Sequence, residues 1–407
     1  MNDMSLKGEI LPDGISLYIH IPFCKSKCPY CDFNTYQGIE SLMPPYLDAL
    51  GLEIRLWGST LGNPRVNTIF FGGGTPSYIS LEHMEKALCS VAGAFEVVQD
   101  AETTIEANPG DLNGPALTRL LEVGVNRLSI GVQSLDDSLL AMLGRRHTAQ
   151  EAMEGYRLAR HTGFESVNLD LMYGLPHQTM AQWEYTMEKI LELDPPHVSL
   201  YCLTLEEGTP MERWVRQGQL PEPDPDLAAD MYTSARESLD RAGYHHYEIS
   251  NWAMPGFQSR HNLAYWLNRS YLGVGPGAHS CLRGHRFWDV ASPREYIRRV
   301  HGWGADDVKR VDIIDRDTLL RIGPVDGVEA VGPRLEMAET MFLGLRLLDG
   351  LSVEDFKGRF GHDPMQLYRP QIGELEGEGL LEDSDGLLRL TEKGCLLANQ
   401  VFMRFLD

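Results

Sequence analysis

Ser16-Leu-Tyr-Ile-His-Ile-Pro-Phe-Cys-Lys-Ser-Lys-Cys-Pro-Tyr-Cys31 decides the fold: an apolar, β-branched run breaks off into three closely spaced cysteines. A near-continuous apolar run of this kind suits a strand covered on both faces, as in a parallel sheet. Five further runs, at 67–74, 102–108, 127–133, 166–174 and 197–205, have the same character. Helical spacing fills the intervals, with Leu47, Leu50, Ile54 and Trp57, then Leu81, Met84, Leu88 and Val91, then Leu117, Leu120 and Leu121. Strand–helix alternation repeated in this way predicts an α/β fold, a six-stranded, partly open parallel barrel. Cys24, Gly72 to Thr75, Glu106, Gln133 and Asp170 all fall at the C-terminal ends of these strands. That edge is where parallel α/β folds bind ligands.

The pattern breaks at the acidic, Pro-rich 220–226 (LPEPDPD). This predicts a core over 1–243, an aromatic, Gly-rich connecting region over 244–333, and a C-terminal unit over 334–407. In that last unit Met337, Met341, Leu345 and Leu348 share one helical face, Asp385-Gly386 marks a turn, 386–390 reads as a short strand, and a final helix starts near Gly394. Helices followed by a small wing suggest a winged-helix-like module. With 8 basic against 14 acidic residues in 334–407, it is not expected to bind DNA.

The whole chain of 407 residues carries a formal charge of −22, which argues against nucleic acid or an anionic membrane as the main partner. The first residues lack a basic-then-apolar signal pattern, and no apolar run approaches the length of a membrane span, so a cytoplasmic protein is expected. Seven cysteines, three of them in one short loop, make a poor disulfide framework and a good metal framework. Cys89, Cys202, Cys281 and Cys395 read as ordinary thiols.

Cys24, Cys28 and Cys31 have C-x₃-C-x₂-C spacing directly after a strand. Three thiolates on one tight loop can ligate an iron–sulfur cluster and leave one iron of a cubane open. A structural zinc ion is the rival reading, and it needs a fourth ligand such as Asp32 or a distant histidine.

The three-cysteine spacing followed by Phe33 resembles the fingerprint of the radical S-adenosylmethionine (SAM) superfamily. Tyr18 to Cys24 (YIHIPFC) and Gly72 to Pro76 (GGGTP) resemble its coproporphyrinogen oxidase-like branch. So do Glu106 in IEANP, Gln133 in GVQS, Arg145 in LGRRH and Asp170 in NLDL. The resemblance runs along essentially the whole chain. It implies a partial (β/α)₆ radical SAM barrel, a [4Fe–4S] cluster on Cys24, Cys28 and Cys31, SAM on the open iron, and an electron donor for the cluster. It also implies that Tyr18, Gly73 and Glu106 contact SAM. Tyr30, Gly74, Thr75, Gln133, Arg145 and Asp170 would line a neighbouring site that holds a second SAM in the oxidase. The bland alternative makes Glu106 and Asp170 ion-pair partners of Arg127 or Arg145.

Within this branch three features point away from the oxidase and toward members that carry haem. Phe33 stands where the oxidase is expected to have a further cysteine, only 23 residues precede Cys24, and Arg260 to Trp266 contains H-N-x-x-Y-W. The resemblance associates that last motif with haem, making His261 a candidate haem contact and His279 a second. His20 is expected to shape the cluster site. On the residues alone, a histidine among aromatics is also an ordinary hydrogen-bonded packing corner. The expected function is a haem chaperone serving an unidentified acceptor protein, with no catalytic residue assigned. The alternatives are a radical SAM enzyme, either a coproporphyrinogen decarboxylase or an alkyl transferase, and a scaffold with a vestigial cluster.

Overall fold

The computed structural model describes residues 14–303 and 315–406; the N-terminal stretch inspected for a targeting signal falls outside the described residues. Six strands, β1 (Ile15–Ile21), β2 (Arg65–Gly73), β3 (Glu96–Ala107), β4 (Arg127–Gln133), β5 (Ser166–Tyr173) and β6 (His197–Cys202), pair in parallel in sequence order. Helices cross between them: α1 (Met43–Leu61), α2 (Leu81–Ala94), α3 (Gly114–Glu122), α4 (Asp137–Met142), α5 (Ala149–Thr162) and α6 (Met180–Leu193). Local chemistry sets their starts. Thr148 with Glu151, and Thr179 with Gln182, form reciprocal capping boxes at α5 and α6. The apolar faces foreseen for α1 and α2 are buried at Leu50, Ile54, Trp57, Met84 and Val91.

Side chains alternate across each strand. Leu17, Ile19, Phe71, Leu128, Ile130, Leu169 and Leu171 pack against the helices, almost fully buried. The opposite face is polar: Thr104, Glu106, Arg127, Ser129, Asn168, Asp170, His197, Ser199 and Tyr201 surround one chamber of about 150 Å³. Because residues from β3 to β6 reach a common chamber, the sheet curls around its polar face.

The connecting region supplies six further strands to the same sheet, which sequence periodicity did not reveal. They are β7 (His245–Glu248), β8 (Asn251–Ala253), β9 (Tyr271–Val274), β10 (His279–Leu282), β11 (His285–Asp289) and β12 (Val325–Ala330). The strand order is β12-β11-β10-β9-β1-β2-β3-β4-β5-β6-β8-β7. Only β9 continues the parallel set, beside β1; the outer strands on both sides are antiparallel.

Helices α7 (Pro210–Arg216) and α8 (Pro225–Arg241) follow β6, and the acidic Pro-rich stretch leads into α8, with Asp224 as its cap. Beyond lie α9 (Arg260–Trp266), α10 (Pro293–Gly302), α11 (Arg316–Leu319) and α12 (Pro333–Gly344). A separate C-terminal unit has its own core, including Met341, Leu345, Phe356, Leu388 and Val401, and a three-stranded antiparallel sheet. Two expectations need correction here. Helix α12 stops at Gly344, so Leu345 is its cap and Leu348 lies beyond it, its N–H bonded to Tyr247 O. The final helix is two short ones, Glu392–Leu396 and Ala398–Met403.

Candidate functional site

Strand β1 ends at Ile21, and the chain then turns through the three-cysteine loop, which is stitched to its surroundings by backbone hydrogen bonds. Cys24 N donates to Tyr36 O at 2.9 Å and Cys31 N to Cys28 O at 3.1 Å. Gly74 N donates to Ile21 O at 2.7 Å and Thr75 N to Phe23 O at 2.9 Å, so the loop rests on the glycine segment that ends β2. Inside the loop the Lys27 ammonium donates to Phe33 O at 2.9 Å and Thr35 O at 3.2 Å.

The cysteines open onto a cleft of about 430 Å³ at the C-terminal ends of β1 to β6. Its walls include Cys24, Cys28, Cys31, Tyr30, Gly73, Gly74, Thr75, Glu106, Gln133, Arg145 and Asp170. Eleven of the residues singled out from sequence therefore meet in one place; Tyr18, His20, His261 and His279 do not line it.

Each wall has a local cause. The glycines are there because side chains would not fit: a Cβ on Gly73 (φ +109°) would lie 2.4 Å from the His20 ring, and one on Gly74 2.7 Å from Phe23 O. His20 is itself a strut: its Nδ1 accepts from the Tyr18 hydroxyl at 3.1 Å and its Nε2 donates to Asn34 O at 2.9 Å. Gln133 has φ +67°, a left-handed conformation rare for a residue with a side chain, at a register shift between β4 and β5. Tyr18 lies one layer below the cleft, stacked on Phe70.

Thr75 Oγ1 approaches Cys24 Sγ at 3.6 Å, and Arg145 Nη1 approaches Cys28 Sγ at the same distance. Burial pushes the Cys24 and Cys31 thiols up, while Lys27 pulls both back. Burial opposes the charge on Arg145, but Tyr30 and Cys28 sustain it. Glu106 is pushed up to about 8 by burial and by Asp170, with the Gly73 N–H at 3.2 Å from its Oε2 working the other way. Asp170 is raised by burial and held back by Ser129 and Asn168, which donate to it at 2.9 and 2.8 Å.

The ion-pair reading of these two acids is corrected. Arg127 donates instead to Ser166 Oγ at 2.7 Å and Phe257 O at 2.9 Å, and Arg145 to Gly131 O at 2.8 Å. Sequence reasoning also passed over Ser129, Asn168, Ser199 and Tyr201. The signal was present: every second residue of β4 to β6 is polar, on strands whose other face is wholly apolar.

His261 is corrected as well. It is 1% exposed and stacked on Phe70 at 5.0 Å. Nδ1 meets Thr68 Oγ1 at 2.8 Å and Nε2 meets Tyr265 Oη at 3.1 Å. Burial pushes its pKa down to about 3. With both nitrogens engaged it is a packing corner, and no lone pair faces outward for iron.

The cleft fits the groups that the sequence implied. Among the described residues no three His, Cys, Asp or Glu side chains converge on a point that one ion could occupy. The three cysteines line one cleft, and three thiols without a fourth protein ligand are the donor set of an iron–sulfur cluster with one open iron. Beside them a side-chain-free glycine segment, an amide and two buried carboxyls offer a polar cradle to a zwitterionic ligand. Among the described residues no helix is long and apolar enough to cross a membrane.

Comparison with known proteins agrees with this geometry. Residues 18–190 match the radical SAM superfamily, and residues 333–397 match the HemN C-terminal domain. The heme chaperone HemW of Bacillus subtilis is 38% identical, over 96% of this chain and 99% of that one. The heme chaperone HemW of Escherichia coli is 35% identical, over 96% and 98%. A bovine mitochondrial radical S-adenosyl methionine domain-containing protein 1 is 36% identical, over 96% and 87%. Among solved structures, coproporphyrinogen III oxidase (HemN) from Escherichia coli superposes with a TM-score of 0.81 at 23% identity, covering 96% of this chain and 89% of that one. This last likeness speaks for the fold alone.

Proposed function

Because this chain belongs to the HemW family of the radical SAM superfamily, we propose that it binds haem and passes it to an acceptor protein, with a [4Fe–4S] cluster and SAM held in the cleft. The observation that carries this reading is the near-full-length likeness to proteins named heme chaperones, at up to 38% identity. Bound on Cys24, Cys28 and Cys31, the cluster would supply an electron and an open iron for SAM.

The chain's own residues do the rest. Arg145 and Thr75 place donors 3.6 Å from the Cys28 and Cys24 sulfurs, where they can hydrogen-bond to them once they ligate iron. Gly73, kept bare by the His20 ring beneath it, lets backbone approach the ligand. Glu106 and Asp170, on β3 and β5 to either side of β4, offer acceptors to a cationic or hydroxylated ligand, and Gln133 and Tyr30 flank the cysteines. A cytoplasmic location belongs to this reading, since Cys89 and Cys202 are exposed free thiols that a reducing compartment would preserve.

An anaerobic haem titration of the cluster-loaded protein, followed at the Soret band, is the test. Saturation near one haem per chain, and loss of that haem to an apo-haemoprotein, are expected. No saturable binding would remove the proposal. A second reading, a radical SAM enzyme, draws on the intact polar wall of the cleft. Incubation with SAM, reductant and coproporphyrinogen III should give no divinyl product; clean conversion would install the enzyme reading instead.

A further inference from the structure

Resting on the reading that the cleft holds SAM, we propose that His197 is a positioning residue for that site. It is the centre of a one-way hydrogen-bond relay that fixes the Asp170 carboxyl and ties it to the start of α9. Ser129, Asn168 and His197 stand side by side in register on β4, β5 and β6. Asn168 Nδ2 donates to Asp170 Oδ1 at 2.8 Å, and Ser129 Oγ donates to Asp170 Oδ2 at 2.9 Å. Asn168 Oδ1 lies 2.6 Å from His197 Nδ1, and His197 Nε2 lies 2.8 Å from Tyr247 Oη. Tyr247 Oη accepts in turn from the N–H of Ser259, the N-cap of α9, at 3.2 Å. Strand β7 shifts register against β8 at Tyr247, and a bulge of this kind re-aims a side chain, here the phenol onto His197.

The chain runs in one direction. A carboxylate offers acceptors alone, so the Asn168 amide faces Asp170 and its carbonyl faces His197. That carbonyl also takes the Ser199 hydroxyl at 3.0 Å. Facing an acceptor, His197 carries its proton on Nδ1, and Nε2 accepts from the Tyr247 hydroxyl. The Tyr247 oxygen is then left to accept from Ser259. Burial and the charge of Arg127 hold the His197 pKa well below its ordinary value, so the imidazole stays neutral. Among the described residues, no side chain of the relay has a buried polar atom without a partner. A fully satisfied buried network of this kind specifies a single arrangement.

The relay joins two places that a ligand can couple. Asp170 lines the cleft, whereas Ser259 and Asn262 of the α9 segment line the inner chamber with Asn168 and His197. With both oxygens held by donors, the Asp170 carboxyl meets a ligand in a fixed orientation, which lowers the ordering cost of binding. The same bonds work in reverse: a ligand that fixes Asp170 strengthens the hold on Ser259 and so on the first turn of α9. Helix α9 has separate anchors on β3, where Glu102 accepts from the Arg260 and His261 N–H groups at 3.0 and 2.9 Å. Breaking the relay therefore loosens the link to the cleft without releasing the helix.

The test is SAM binding to the cluster-loaded protein by equilibrium dialysis, joined to amide hydrogen exchange across α9. His197→Leu removes both bonds and is expected to weaken SAM about tenfold, and Tyr247→Phe, which removes one oxygen, about threefold. His197→Gln can donate to Asn168 and accept from Tyr247, and should bind within about twofold of wild type. Saturating SAM should slow exchange of the α9 amides in wild type and in His197→Gln and leave it unchanged in His197→Leu. Spectra of ¹⁵N-labelled histidine, assigned by difference from His197→Gln, should show His197 as the neutral Nδ1–H tautomer; an Nε2–H tautomer would overturn the relay. If His197→Leu and Tyr247→Phe bind SAM like a wild type that does take it, His197 is a packing residue and the SAM reading stands. If cluster-loaded wild type takes no SAM, the reading of the cleft fails and the relay goes with it. Should His197→Leu fail to fold, Tyr247→Phe decides.

Discussion

The Lys27 ammonium closes the cysteine loop from within, satisfying Phe33 O and Thr35 O, while its own N–H meets Gln37 Oε1 at 2.9 Å. Lys27→Met keeps the aliphatic stem and orphans both carbonyls, at about 1 kcal/mol each where water can partly compensate. We expect lower iron content per chain after anaerobic reconstitution, with Lys27→Arg recovering most of it; equal iron in the Met variant would refute the role. Glu106 makes a separate, signed prediction. Its pKa in the folded protein, about 8, lies above the ordinary carboxyl value of 4.5. The folded state therefore keeps a proton that the unfolded chain releases, so this contribution to stability is whole below about pH 4.5 and lost as pH rises toward 8. Thermal midpoints of the cluster-free protein across that window should fall less steeply for Glu106→Gln than for wild type. Parallel curves would show that Glu106 ionises freely.

At the scale of elements, the six parallel strands and their helices were legible because each strand carries an unbroken apolar face against the helices and each helix repeats its apolar residues at helical spacing. The cleft was legible for a related reason: a parallel strand that ends in glycine, cysteine or a carboxylate declares a ligand edge. The strands β7 to β12 were not. They are short, mostly antiparallel and rich in glycine and aromatics, and β8 and β9 join the sheet through the distant β6 and β1, so no local period identifies them.

The α9 motif shows the opposite failure, where a suggestive pattern concealed a corner. Its imidazole ties α9 to β2 through Thr68, and Glu102 of β3 accepts the His261 N–H at 2.9 Å. His261→Ala should cost about 2–4 kcal/mol in stability, from a cavity and two stranded hydroxyls. Its haem affinity should stay within threefold of wild type. A selective loss of haem binding in a variant of normal stability would return His261 to the haem site. Gly73→Ala is a matching test of β2: with a left-handed φ and a ring 2.4 Å away, it should lose SAM binding at least tenfold by equilibrium dialysis while keeping its iron.

Across the whole molecule, a chain of polar side chains runs from the cleft to the C-terminal unit. Asn168 donates to Asp170 at 2.8 Å, Ser199 links Asn168 to Asn251 at 3.0 and 2.5 Å, and Asn251 donates to Glu248. Glu248, fully buried, faces Arg346 at 3.6 Å just beyond α12, and that guanidinium lies 4.2 Å over the Trp266 ring of α9. Backbone bonds reinforce the same seam, from Ile249 N to Arg346 O and from Leu348 N to Tyr247 O. Arg346 is thus the one cation that both neutralises a buried barrel carboxylate and packs on a barrel aromatic from the C-terminal side, among the described residues. Removing it leaves Glu248 charged and unpaired, or forces it to take a proton; breaking a buried pair in this way costs about 3 kcal/mol or more. Arg346→Met keeps much of the stem's contact with Trp266 and isolates the charge. Calorimetry should then show a lower midpoint and a C-terminal transition separating from that of the barrel. Because the Glu248 carboxyl is already raised by burial, the deficit should shrink as pH falls and protonation removes the stranded charge. A single unshifted transition at every pH would mean that the backbone bonds alone hold the two units together.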